Sequence, residues 1–292
     1  MAEMTPLLIG VGVTAASHPM GYVKVLIQCG HEPLPPQIGR NIFGRSQMQL
    51  PGLFAYIKHI KSVDGFLGLY RGFFPRLCSG LTGSLVSSHV QEQLSDPNED
   101  DSTKKNKFKN KSLQAMMEQS AKDTAARFAA ILASQPFHVI TVRCMVQFVG
   151  RETKYNSLFG SIREIYNEEG ILGFFAGLIP RLLGEVASLW LANTLMYIIN
   201  AYILDEEMSN VNELRSYSMA VTGFFSNMIC YPFALVGNIM AINNCGLAAG
   251  EPPKTLVYAD WRECWRWLSK EGQLKRGSSL FWRPYRSPAQ YY

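Results

Sequence analysis

Charge-free apolar runs recur along the chain. Residues 5–23 and 186–204 each hold 19 positions without Asp, Glu, Lys or Arg, and residues 216–250 hold 35. The first two match the length that crosses a hydrocarbon core at helical rise, and the third suffices for a long tilted span. Two shorter runs, residues 77–91 and 128–142, are bounded by Arg76 and Glu92 and by Arg127 and Arg143, and the first is rich in Ser. Between the runs a second pattern appears. Leu53, Phe54, Ile57 and Ile60 recur at helical spacing with Lys58 and Lys61 among them; Leu158, Ile162, Ile165 and Tyr166 do so around Arg163 and Glu164, and Trp261, Trp265 and Leu268 around Arg262 and Arg266. Such faces suit amphipathic helices lying at a membrane surface. The pattern predicts an all-α, multi-pass membrane helix bundle of five spans and three surface helices.

The same order implies a threefold repeat. Pro19, Pro136 and Pro232 sit inside the first, third and fifth spans, and an acid-Gly pair stands downstream of each: Asp64-Gly65, Glu169-Gly170 and Glu271-Gly272. The first two repeats continue alike, as Gly68-Leu69-Tyr70-Arg71-Gly72-Phe73-Phe74-Pro75-Arg76 and Gly173-Phe174-Phe175-Ala176-Gly177-Leu178-Ile179-Pro180-Arg181. The predicted organisation is repeat 1 over residues 1–95, a solvated linker over 96–112, repeat 2 over 113–204 and a truncated repeat 3 over 205–292. The linker mixes acid, Asn, Lys and Pro without apolar periodicity. After Gly272 only 20 residues remain, interrupted by Arg276, Arg283, Pro284, Arg286 and Pro288, so a sixth span is not expected.

A Pro-led helix followed by an acid-Gly and aromatic-basic-Gly loop resembles the mitochondrial carrier family, over nearly the whole chain. The blocks Glu32-Pro33-Leu34-Pro35-Pro36, Arg40-Asn41-Ile42-Phe43-Gly44-Arg45 and Glu168-Glu169-Gly170-Ile171-Leu172-Gly173 are similar to a divergent outer-membrane branch of it. The departures are as informative. In that family an acid two residues after each Pro and a base five residues after it close a ring of salt bridges. Here the acid positions hold Gly21, His138 and Ala234, and the basic ones Lys24, Thr141 and Gly237. One charge of six remains. The aromatic-acid dipeptide of the opposite gate is also missing from the second and fourth spans, so two closable states have nothing to stabilise them differentially.

Composition narrows the function classes. Charged residues make up 17% and apolar ones 47%, which excludes a disordered chain. A mean hydropathy of −0.01 requires membrane spans that carry polar residues. The net charge of +5 suits an anionic membrane surface, no block of basic residues singles out nucleic acid, and no nucleic-acid partner is expected. The six cysteines form no C-x-x-C pair and read as single buried thiols. The N-terminal residues form no secretory or Arg-rich targeting pattern. His18, His31, His59, His89 and His138 are isolated, and no nucleotide-binding or hydrolase motif is present. No catalytic residue, metal or cofactor is expected, and the chain reads as a non-enzyme.

With a wall missing, polar residues at membrane depth become candidates for a laterally open hydrophilic groove. These are Lys24, Arg143, Arg181, Glu185, Asn227, Tyr231 and Asn238. Idle charges at that depth are costly, although Arg181 and Glu185 also stand four apart as a structural pair would, and Lys24 is long enough to snorkel. The prolines and the signature residues Asp64, Gly65, Gly72, Glu169, Gly170, Gly177, Glu271 and Gly272 are assigned to structure, with close local packing at the glycines. The resemblance implies an outer-membrane insertase for tail-anchored and other α-helical clients, with lipid scrambling as a corollary and a docking role for a BH3-class pro-apoptotic protein. A small-solute exchanger and a passive receptor are the alternatives.

Overall fold

A computed structural model describes residues 4–40, 44–94, 113–202 and 211–285; the predicted linker 96–112 lies outside them. Eight α-helices occur among the described residues: α1 (Met4–Gln28), α2 (Leu53–Gly68), α3 (Phe73–Leu94), α4 (Leu113–Val146), α5 (Leu158–Glu169), α6 (Leu178–Tyr202), α7 (Val211–Ile242) and α8 (Trp261–Lys270). Each of the five long helices covers all or most of one predicted span, and α2, α5 and α8 coincide with the three predicted surface helices. A short antiparallel hairpin, β1 (Gln37–Arg40) with β2 (Ser46–Gln49), was not legible in the sequence.

Three helical segments are long and apolar enough to cross a membrane: Met116–Val146, Ile171–Asn200 and Ser216–Ile242. The segment in α4, expected to be one of the weaker spans, meets the criterion, whereas α1 does not. Freedom from charge is not apolarity, and Gly10, Gly12, Thr14, Ser17, His18 and Pro19 dilute α1. The last charge-free run is not helical throughout. Helix α7 ends at Ile242, where Asn244 takes a positive φ of 54° and the Asn243 side chain bonds the Tyr258 backbone in both directions, at 2.8 and 2.9 Å.

The threefold repeat is written into the backbone. Gly65, Gly170 and Gly272 all adopt left-handed φ, at 74°, 68° and 64°. A side chain in that conformation is strained, which explains Gly after each acid. Gly72 and Gly177 serve close approach: a Cβ on Gly72 would stand 2.9 Å from the Thr141 carbonyl, and one on Gly177 would press into the Gly237 carbonyl. Gly177 thereby lets repeat 2 approach the α7 backbone at Gly237, the position of the missing base of repeat 3.

Two compact units divide the chain, and they cut across the repeats. The first comprises residues 1–79, 135–177 and 235–292; the second comprises residues 80–134 and 178–234. In the first unit, Tyr22, Leu26, Leu53, Tyr56, Ile60 and Met145 form one buried cluster, and Val139, Ile140, Tyr155, Ile165 and Ile242 belong to another. The surface helices start on polar caps: Ser157 accepts from Gly160 N, and Asp260 from Glu263 N. Helix α2 has no side-chain cap, and its Leu53 N–H donates instead to the Leu280 carbonyl, 2.8 Å away.

That carbonyl belongs to the segment standing where a sixth span would follow. Residues 273–285 form no long helix. Arg276 donates twice to the Gln28 carbonyl, at 2.9 and 2.6 Å, satisfying an orphan group at the end of α1. Arg283, buried, binds Glu32 and the Pro51 carbonyl, and Tyr285 N donates to the Met48 carbonyl. The two arginines thus tie this segment to the end of α1 and to residues flanking the hairpin.

In the second unit, α7 leaves Met219, Val221, Phe224, Phe225, Met228 and Ile229 exposed. Such a band is stable only against lipid or a partner.

Candidate functional site

The seven predicted groove residues divide between the units. Arg181, Glu185, Asn227 and Tyr231 belong to the second, and Lys24, Arg143 and Asn238 to the first.

In the second unit the polar groups gather along α4 and α6. Glu185 stands halfway along the apolar segment Ile171–Asn200, and its carboxylate lies 3.9 Å from the guanidinium of Arg127, about a third of the way along Met116–Val146. The two side chains are 48% and 53% exposed. Arg181, half-buried one turn before Glu185, feels both charges. The polar seam continues along the two helices: Trp190 Nε1 donates to Thr124 Oγ1 at 2.9 Å, and Asn193 Nδ2 to Ser120 Oγ at 3.0 Å. Ser188 donates to Asn227 Oδ1 at 3.1 Å, tying α6 to α7. Gly184 permits that approach, since a Cβ there would lie 2.6 Å from Cβ of Phe233. Tyr231 is half-buried farther along α7.

The energetics of the Arg127–Glu185 pair decide what surrounds it. An exposed ion pair is worth only about 0–1 kcal/mol. A charge at the centre of a lipid-facing helix costs roughly 2.5–3.5 kcal/mol even on the lenient insertion scale. A pair this exposed is held at membrane depth by water or further polar partners rather than by its own attraction.

In the first unit Arg143 is not a groove residue. It is 0% exposed, with its guanidinium bonded to both carboxylate oxygens of Glu169 at 2.5 and 2.9 Å and its Nε donating to the Ala241 carbonyl at 3.0 Å. Ala176 stands where repeat 1 has Arg71, the partner of Asp64 at 3.0 Å, so Glu169 pairs with Arg143 instead. Asn238 is likewise engaged: it donates to Gln28 Oε1 at 2.7 Å, and its Oδ1 lies 3.1 Å from His138 Nε2. A polar link across α1, α4 and α7 thus uses His138, one of the positions where the family's acid is missing. Lys24 is half-buried on α1. Pro19, Pro136 and Pro232 lie within α1, α4 and α7.

Sequence reasoning missed Arg127, which marked only the edge of a run, and the partner seam of Ser120, Thr124, Trp190 and Asn193. A signal existed, because Ser120, Thr124 and Arg127 recur at helical spacing on one face. All six cysteines are free thiols, five of them buried, and no group of three His, Cys, Asp or Glu among the described residues is arranged for a metal.

Comparison with known proteins adds a family. The family described as mitochondrial carrier protein matches residues 116–205. Mitochondrial carrier homolog 2 from mouse is 55% identical over 280 residues, covering 95% of this chain and 92% of its own length, and the human protein of that name matches equally. Mouse mitochondrial carrier homolog 1 is 44% identical across 94% of this chain and 75% of its own length.

Proposed function

The chain belongs to the mitochondrial carrier homologue branch of the mitochondrial carrier family, and on that premise we propose that it is an outer-membrane insertase for tail-anchored and other α-helical proteins. It is a mitochondrial membrane protein, and five spans fit its five long helices. The observation that carries the reading is the half-exposed Arg127–Glu185 pair at membrane depth. A client's polar flank must cross hydrocarbon while its apolar helix enters lipid. Hydrated charges on the insertase lower the cost of the first step, and an open side allows the second. No bond is made or broken, so the protein needs no enzyme chemistry. The same cleft suits lipid headgroups, which makes scrambling a corollary, and docking of a BH3-class protein belongs to the same proposal.

An obligate solute exchanger is less well supported, because Gly21, His138 and Ala234 supply no acid to a closing gate. A passive receptor is separated from an insertase by reconstitution. Purified protein in liposomes is expected to suffice for inserting a tail-anchored client. Insertion no better than in protein-free liposomes would leave a receptor role only.

A further inference from the structure

Four buried polar side-chain atoms at the junction of α1, α2 and α3 make no hydrogen bond, His18 Nδ1, the Tyr22 hydroxyl, Arg71 Nη1 and Asp64 Oδ2, the last having only its ion pair with Arg71. His18 and Tyr22 are both 0% exposed. The four residues occupy one place. His18 Nε2 lies 2.9 Å from the Arg71 carbonyl, Arg71 Nη2 is 3.0 Å from Asp64 Oδ2, and Tyr22 follows His18 by one turn on α1. Native folds leave few buried polar atoms unsatisfied, so four together call for an occupant.

The chemistry of the occupant follows from the protons. A carbonyl only accepts, so His18 Nε2 carries the hydrogen and its Nδ1 is an acceptor. Asp64 Oδ2 is a second acceptor, Arg71 Nη1 is a donor, and the Tyr22 hydroxyl is either. Arg76 adds positive charge nearby: it packs 2.5 Å from where a Cβ on Gly21 would stand, acts electrostatically on His18, and forms no ion pair among the described residues. A simple anion would leave two acceptors unmet, and a simple cation would face two guanidinium groups. We propose that this cluster binds a zwitterionic group, a primary ammonium joined to an anion by a short spacer. The ammonium donates to Asp64 and His18, and the anion accepts from Arg71 and Tyr22. Entry is past Arg71 and Asp64, whose side chains are 28% and 17% exposed. On α1 the cluster lies in the last two turns of the charge-free run, which ends at residue 23.

The test titrates the purified full-length protein with O-phosphoethanolamine, O-phosphocholine and serine by calorimetry. It then repeats the titration in phosphatidylcholine nanodiscs with and without phosphatidylethanolamine. Quaternary ammonium cannot donate, so O-phosphoethanolamine is expected to bind at least about tenfold more tightly than O-phosphocholine. Tyr22→Phe, which removes only an unpartnered hydroxyl, is expected to weaken that binding severalfold without lowering the unfolding temperature; His18→Gln gives a second reading. Competition by phosphatidylethanolamine nanodiscs assigns the site to a lipid headgroup, and serine binding without such competition assigns it to a free solute; either upholds the site. No binding, equal binding of the two phosphate esters, or binding unchanged in Tyr22→Phe would overturn it, the cluster then holding ordered water only.

Discussion

Removing one partner of the Arg143–Glu169 pair should damage folding, in an order fixed by burial. Glu169→Leu leaves a guanidinium that is 0% exposed with no counter-charge, whereas Arg143→Met leaves a carboxylate that is 23% exposed and reachable by water. Breaking a buried pair from one side costs about 3–5 kcal/mol, and the deeper charge should sit at the upper end. Arg143→Met also forfeits the bond to the Ala241 carbonyl, so it is not benign, about 3 kcal/mol. The double replacement strands no charge and should cost less than the sum by roughly 1–3 kcal/mol. Thermal or denaturant unfolding of purified protein in detergent measures all three. Insertion per folded molecule should be unchanged across the series. An Arg143→Met protein of normal stability whose insertion depends on client charge would refute the reasoning and return Arg143 to the groove.

Burial, with Lys254 and His59 as positive neighbours, pushes His31 down to about 4 from an ordinary 6.5. The unfolded chain therefore binds the proton first, so stability is full above pH 6.5 and falls between pH 6.5 and 4; unfolding temperature against pH should lose that slope in His31→Gln. Proteoliposomes should show no saturable nucleotide or carboxylate exchange, and Gly21→Asp with Ala234→Asp should not create it, because a carboxylate at 21 meets Arg76 and the second gate is absent; robust counter-exchange by the unaltered protein contradicts this. Tags at the two ends should be protected from protease on opposite sides of the membrane, as five spans require, and same-side protection would rule that count out.

Much of the architecture was legible because it rests on patterns a sequence displays. Charge-free runs located the long helices, apolar spacing located α2, α5 and α8, and the acid-Gly pairs located three glycines that all take a positive φ. What stayed hidden depends on partners distant in the chain. Arg143 was read as a groove charge because Glu169, 26 residues away, is invisible as its partner until α5 packs beneath α4. Arg276 and Arg283 interrupted the apolar pattern after Gly272, yet gave no sign that they would bind carbonyls at Gln28 and Pro51. Glu185 was singled out from its place in an apolar run, whereas its partner Arg127 was hidden by its place at the edge of another.

If hydrated charges at membrane depth handle the client's polar flank, reversing those charges changes which flanks are accepted. Purified wild type, Arg127→Glu, Glu185→Lys and Lys24→Glu are reconstituted in liposomes with tail-anchored clients whose flanks are acidic or basic, and insertion is normalised to folded protein. The account predicts that each reversal shifts the ratio of acidic-flank to basic-flank insertion, with Glu185→Lys favouring acidic flanks and the other two favouring basic ones, at unchanged protein stability. Loss of insertion that is equal for both clients and tracks the amount of folded protein would contradict it, and would make these charges structural.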